Sequence, residues 1–357
     1  MSTLDTLWRK AALSTLAFGV SLTATHSFSA GGEPAGLLSP LPGNAQAVLP
    51  AQAIAGKSKA VSINHGQLRS GRISIDLPGG ITLDAIRDLQ KEMGKNKFAW
   101  VGHANGNPGN RVVIGVSGDA VAGTFAYDGK LFKLEPRPDG SHVVSEVGTD
   151  DPAATSDPIS VADLTGSGTS GDTAPVAADG GTVIDVLVAY TPQVQSRYGT
   201  AGAEALVVQA VAEANQAYAN SGINASLNLA AAVLTIYTES GSMNTDLSRL
   251  RSTSDGYMDE LHTLRNQYGA DLVSLIEDEP QYCGLAYRMT SASSSFASYA
   301  FSIVHHSCAT GYYSFAHELG HNQGAHHDPA NASGAMYQYA YGHQASSAGF
   351  RTVMAYS

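Results

Sequence analysis

Residues 315–328 read FAHELGHNQGAHHD. On a helix, His317 and His321 lie four apart and project from one face, where both imidazoles can share a metal ion; Glu318, one position round, can reach water at that ion. Gly324 lies three residues beyond His321 and His327 three beyond Gly324, which extends the pattern to HExxHxxGxxH. The helix must stop soon after His321 for a third ligand to turn back, and Gly324 can adopt the left-handed conformation that permits this. His327 is the expected third ligand, with His326 a rival one position short of the pattern. Three protein nitrogens leave a fourth tetrahedral position for water, which marks a catalytic rather than a closed structural zinc. Zinc lowers the pKa of that water to about 7 and polarises a carbonyl, and Glu318 is placed to take the proton and pass it to a leaving amine.

These residues need a scaffold. TVIDVLVAYT is dense in β-branched residues and predicts a buried strand. A helix is expected at about 200–220, where Leu206, Val207, Ala210, Val211, Ala214 and Tyr218 keep an apolar stripe, with Gly222 as its stop. SLNLAAAVLTIY and ADLVSLIED predict strands around a helix at 255–268, and a β-rich stretch ends in AFSIVHHS. Strands alternating with helices predict an α/β domain over residues 181–357. His305 and His306, at the end of that last strand, read as core or cleft-rim partners.

The first half has a different texture. Residues 1–30 carry Arg9 and Lys10 before the apolar run AALSTLAFGVSL and the small residues around SFSA, and read as a secretory signal peptide. The apolar run is too short to span a bilayer. Residues 31–148 hold a motif-free lead-in and then a small, mostly β module with one helix, ITLDAIRDLQKEM, among strands such as GRISIDL, RVVIGVSG and AVAGTFAYDG. Residues 149–180 are Ala-, Ser-, Gly-, Pro- and Asp-rich and predict a linker; they hold six Asp and no Lys or Arg.

The net charge of −11 excludes the basic footprint of a nucleic-acid binder. Residues 1–180 hold 14 basic and 17 acidic groups and residues 181–357 hold 6 and 14, so the acidity concentrates in the second half. Cys283 and Cys308, the two cysteines, lack metal-site spacing and predict one disulfide in an oxidising compartment.

HELGHNQGAHHD, followed by TVMAYS with Met354, resembles the metzincin clan of zinc endopeptidases and its Met-turn. Asp328 after the third histidine is shared with the reprolysin branch. IDVLVAYTPQ together with GYYSFAHELGHNQGAHHD resembles, more closely, the peptidyl-Asp metalloendopeptidases. The resemblance implies a twisted five-stranded sheet over an active-site helix, His317, His321 and His327 on one Zn2+, Glu318 as general base, Met354 beneath the metal, and cleavage on the amino side of Asp, with Glu a second choice. It also implies protein or peptide substrates, a secreted monomer, and a propeptide in residues 31–148. Met354 stands three residues from Ser357, where metzincins usually continue to finish a pocket wall; either the sequence stops short or that wall is small. Tyr356 matches the spacing by which some metzincins place a tyrosine at zinc; it reads first as a packed aromatic and second as a hydrogen-bond donor to the oxyanion.

An acidic side chain needs a cation in its pocket, and of the six Arg in the second half Arg351 and Arg288 are the candidates. The first half has no cysteine, which excludes latency by a thiolate on zinc, and the linker Asp residues predict self-processing, best at Asp179. Two alternatives stand beside this reading: a broad-specificity reprolysin-like protease, and a zinc-containing binding module that has lost catalysis. The presence of Glu318 weighs against the second.

Overall fold

Asn105-Gly106 and Asp128-Gly129 both have φ positive at each residue, the conformation of tight type I′ hairpins. Such turns organise the N-terminal half. In a computed structural model, which describes residues 34–42, 49–50, 52–149, 158–161 and 181–356, nine strands form one antiparallel sheet. They are β1 (Leu38–Pro40), β2 (Ala53–Ile63), β3 (Arg72–Leu77), β4 (Ile81–Glu92), β5 (Lys97–Ala104), β6 (Asn107–Ser117), β7 (Ala120–Tyr127), β8 (Lys130–Pro136) and β9 (His142–Val147). The signal peptide expected at 1–30, nearly all of the linker and Asp179 lie outside the described residues.

The strand order is β1-β2-β9-β8-β7-β6-β5-β4-β3. The sheet curls until its edges meet: Leu38–Pro40 pairs with β2, while the Leu37 amide donates to Ser74 O of β3 at 2.7 Å. Trp100, Phe125, Phe132, Ile73, Ile75 and Leu77 fill the interior of this barrel. Each such side chain contributes about 1.5–3 kcal/mol by leaving water.

The helix expected at ITLDAIRDLQKEM is instead strand β4. Its Leu83 and Ala85 face the barrel interior and the intervening Asp84 does not, a period of two; β3 and β5 supply the pairing on both sides. A bulge between Arg87 and Leu89 leaves Leu89 exposed, and the displaced apolar residue mimics helical spacing.

The C-terminal half is α/β with a mixed sheet, as the alternation of its elements predicts. After β10 (Ile159–Ser160) come β11 (Thr182–Tyr190), α1 (Pro192–Asn220), β12 (Ala225–Leu234), α2 (Met243–Arg251), α3 (Glu260–Tyr268), β13 (Leu272–Glu277), β14 (Gly284–Arg288), β15 (Phe301–His305), α4 (His306–Ala309), α5 (Ser314–Asn322), β16 (Gln344–Ala345) and β17 (Phe350–Arg351). The order β10-β14-β15-β13-β11-β12 is parallel except that β14 runs antiparallel to β15. Five strands match the sheet that the resemblance implied. The sixth, β10, comes from the segment expected to be linker: Ile159 and Ser160 pair with Tyr287 and Arg288, because β14 would otherwise present an unpaired edge, and Ile159 and Val161 pack against the core.

Helix α1 begins earlier than its apolar stripe does. Thr191 caps it, Pro192 opens it, and Gly199 at φ 73° breaks it before the long run to Asn220. Val207, Val208, Ala210, Val211, Ala212 and Ala214 are all buried, as are Gln209 and Glu213, so the middle of the helix is enclosed on every side. The mixed sheet covers one face and the outside of the barrel covers another; Met93, Ala99, Val101 and Val113 of the barrel belong to the same apolar core as α1. At Gly115 a Cβ would stand 2.3 Å from Ala205 O, so the sheet meets the helix backbone directly. Helix α2 had no counterpart in the reading above, although Met243, Leu247 and Leu250 are spaced for one buried face.

Candidate active site

Helix α5 puts His317 and His321 one turn apart and ends at once. Gly324 takes φ 92°, its amide donates to His321 O at 3.0 Å, and the Ala325 amide donates to Gly320 O at 2.9 Å. The chain then doubles back. His327 Nε2 comes within 3.2 Å of His317 Nε2 and 3.1 Å of His321 Nε2, which are themselves 3.0 Å apart. His326 turns away and stacks on Tyr341, so of the two rivals only His327 joins the cluster.

The three nitrogens fit a divalent metal by their environment as well as their spacing. His317 Nδ1 faces Val353 O at 2.8 Å and His321 Nδ1 faces Ala325 O at 3.0 Å. Carbonyls accept only, so each Nδ1 carries the proton and each Nε2 offers its lone pair to the centre. Burial pushes the His317 imidazole down to about 4, with the Arg351 guanidinium adding to the effect. His327 is pushed down to about 3 by burial and then by His317 and His326, and His321 lies well below its ordinary value for the same reasons. Neutral imidazoles are the form a metal binds.

Four features besides the three histidines and Glu318 hold this geometry. Asn322 Nδ2 donates to Tyr287 O of β14 at 2.8 Å and to Phe301 O of β15 at 3.0 Å, and Gln323 Nε2 donates to Tyr218 Oη of α1 at 2.6 Å. Glycines make the space: at Gly284 of β14 a Cβ would stand 2.5 Å from Glu318 Cγ and Oε1, and at Gly320 of α5 it would stand 2.5 Å from Met354 Sδ. Gly284 thus presses the sheet edge against the buried Glu318, and Gly320 lets Met354 sit against the helix. The Cys283–Cys308 disulfide, expected from the cysteine count, fastens the start of β14 to α4. Asp328 accepts from the amides of Ala330 at 3.2 Å and Tyr356 at 3.1 Å, tying the third-ligand loop to the Met354 turn.

Sequence reasoning missed Gly284 and Gly320, whose signal is only that each stands within a segment already assigned. It also missed Glu213 of α1. This buried carboxylate accepts from Thr124 of β7, from Gln209 Nε2 at 3.0 Å and from the Gly311 amide at 2.7 Å, linking the barrel to the approach of α5. Burial holds its carboxyl above the usual range. Tyr356 packs its ring 4.1 Å from that of His327. Arg288 Nη1 donates to Gly334 O at 3.2 Å and Arg351 Nη1 to Ala355 O at 2.8 Å.

A metallopeptidase of the metzincin type is the class that such a helix, with its returning third histidine, defines. The model of metallo-peptidase family M12 (Reprolysin_5) matches residues 180–357. A peptidyl-Asp metalloendopeptidase of Stenotrophomonas maltophilia (strain K279a) is 43% identical over 271 residues, 70% of this chain and 60% of its own length. One from Pseudomonas fragi is 38% identical over 146 residues, 41% of this chain and 73% of its own length. Among solved structures, metalloproteinase-II from Bacteroides fragilis covers 73% of this chain and 83% of its own, at 13% identity and a TM-score of 0.44. The chain belongs to metallopeptidase family M12, and it spans about 60% of the length of the Stenotrophomonas relative.

Proposed function

We propose that the protein is a secreted zinc endopeptidase that cleaves peptide bonds on the amino side of Asp. The observation that carries the hydrolytic reading is the buried Glu318 beside three neutral imidazoles whose Nε2 atoms converge within 3.2 Å. His317, His321 and His327 would hold Zn2+, which supplies a Lewis acid for the scissile carbonyl and for water. Glu318 accepts the proton of the attacking water and returns it to the leaving amine. Gly284 and the Cys283–Cys308 tether keep its carboxylate in place. Tyr356, packed on His327, is a candidate donor to the oxyanion.

The preference for Asp draws support from the name carried by the relatives and from two cations. Arg351 stands on β17, three residues before Met354, and Arg288 ends β14, the strand whose Gly284 meets Glu318. The barrel is read as a propeptide and the linker before Asp179 as the self-processing site. The leader sequence and the disulfide support secretion.

One digestion tests this. The full chain acts on a single unfolded protein, with Glu318→Ala and a chelator as controls, and the new N-termini are mapped. The expected result is fragments beginning with Asp, absent from both controls. Cleavage that survives Glu318→Ala would overturn the metallopeptidase reading, and fragments without an Asp bias would leave a broad-specificity protease. Replacing Arg288 and Arg351 singly with Ala should weaken the bias; an unchanged profile in both rules them out as the acidic pocket.

A further inference from the structure

A second group of ligating side chains lies apart from the HExxH helix. Strands β13 and β15 run parallel, with Glu277 paired to His305, so their C-terminal ends stand level. Asp278 follows β13, His305 ends β15 and His306 begins α4. The ligand atoms of Asp278, His305 and His306 all lie within 4.8 Å of one another. We propose that these three residues form a second divalent transition-metal site, suited to zinc and distinct from the one on α5.

Geometry favours a metal over a simple hydrogen-bonded triad. His306 Nε2 lies 2.7 Å from Asp278 Oδ1, but His305 Nε2 stops at 3.7 Å from the same oxygen, beyond hydrogen-bond reach. His306 is fixed from behind, its Nδ1 meeting Tyr198 Oη at 2.7 Å; His305 Nδ1 meets Ser307 Oγ at 2.7 Å and accepts from the Ser307 amide at 3.3 Å, a bond that must open for His305 Nε2 to offer its lone pair. A hydroxyl that fixes the outer nitrogen of His306 while its inner one faces a common centre is the outer shell that metal-bound histidines use. A tetrahedral ion at about 2.0–2.2 Å from each donor separates the donors by roughly 3.3–3.6 Å. The observed 2.7 and 3.7 Å bracket that value.

Arg197 is the resident competitor. Its guanidinium lies 3.3 Å from Asp278 Oδ1 and is one-third exposed. It borders a cavity of about 430 Å³ that also touches Glu135, Gln193, Tyr198 and Asp278, which gives it room to swing aside. Two imidazoles and a carboxylate are a donor set for Zn2+ rather than for Ca2+ or Mg2+, which prefer oxygen alone. The site would bind together the ends of β13 and β15 and the start of α4, which the disulfide also anchors.

Metal stoichiometry of the full chain decides the matter. Protein stripped with chelator is titrated with Zn2+, and bound metal is counted after desalting. Wild type should bind two equivalents, and the His317→Ala/His321→Ala double variant one. Asp278→Asn, nearly isosteric and at the more exposed end of the cluster, and His305→Ala, at the end of β15, should each lose one equivalent while circular dichroism shows the fold retained. Arg197→Ala should keep two and tighten the second by threefold or more. One equivalent in wild type with none in the double variant overturns the proposal. So does a second equivalent that survives both Asp278→Asn and His305→Ala, or an Arg197→Ala affinity equal to that of wild type.

Discussion

The two halves of the molecule treat buried charge in opposite ways. Among the described residues, the barrel buries only Lys133, His142 and Glu146 of its titratable side chains, and its interior is aromatic and aliphatic. The C-terminal half buries six histidines (His305, His306, His317, His321, His326 and His327) together with Glu213, Asp246, Glu277, Glu318 and Asp328. Burying such groups costs stability unless each finds a partner, and that cost concentrates where chemistry is done. Even Lys133 serves the other half, since its ammonium donates to Ser307 O at 2.5 Å. The barrel supplies conventional stability, α1 is the shared surface, and the second half carries the expensive groups.

Three substitutions probe that division. Gly284→Ala should have the largest effect, because the new Cβ would stand 2.5 Å from the Glu318 carboxylate. Displacing a catalytic group by about 1 Å typically costs on the order of 100-fold in rate. Steady-state kinetics should show that loss with metal content unchanged, and a rate within threefold of wild type would mean that the sheet edge does not position Glu318. Gly115→Val comes next. It forces the barrel off the α1 backbone at Ala205 and Gln209, and overpacking of this kind costs about 1–3 kcal/mol. Chemical denaturation should report it as one cooperative loss for both halves; an unshifted midpoint would show that the halves are stabilised independently.

The third effect is a slope rather than a step. Burial, with Asp246, Glu239 and Glu279 adding to it, pushes the Glu277 carboxyl up to about 10 from an ordinary 4.5. Between those values the unfolded chain releases a proton that the folded chain keeps. Stability present below about pH 4.5 is therefore lost as the pH rises toward 10, at up to about 1.4 kcal/mol per unit. Glu277→Gln removes the ionisation, so its advantage over wild type should be absent at pH 4 and grow by about 1 kcal/mol for each unit from pH 6 to 8. Parallel stability curves for the two proteins would show that Glu277 is ionised in the fold.

Much of this was legible from residues alone, because the signals were local. The HExxHxxGxxH spacing foretold that His317, His321 and His327 would meet, since helix periodicity and a left-handed glycine act over a few residues. The β-branched run at β11 and the small-residue stripe of α1 likewise announced themselves. What stayed hidden depended on distant partners. β4 looked helical until β3 and β5 claimed its backbone, and β10 looked like linker until the open edge of β14 offered it a ladder. Gly284 and Gly320 matter only because Glu318 and Met354 arrive against them from elsewhere in the chain. Asp278, 27 residues before His305, carries no sequence mark of their meeting.

The barrel's strand order has a meaning in time as well as in space. From β4 to β9 each strand pairs with the one made just before it, and β1 and β2 close the sheet from residues older still. Such short-range pairings form fast, and during synthesis all of their residues have been made before Pro192 is added. Helix α1, enclosed on every side through its middle, is therefore made after its platform. The growing chain meets the hardest part of its fold, a helix enclosed through its middle and a cluster of buried imidazoles beyond it, with a template already built.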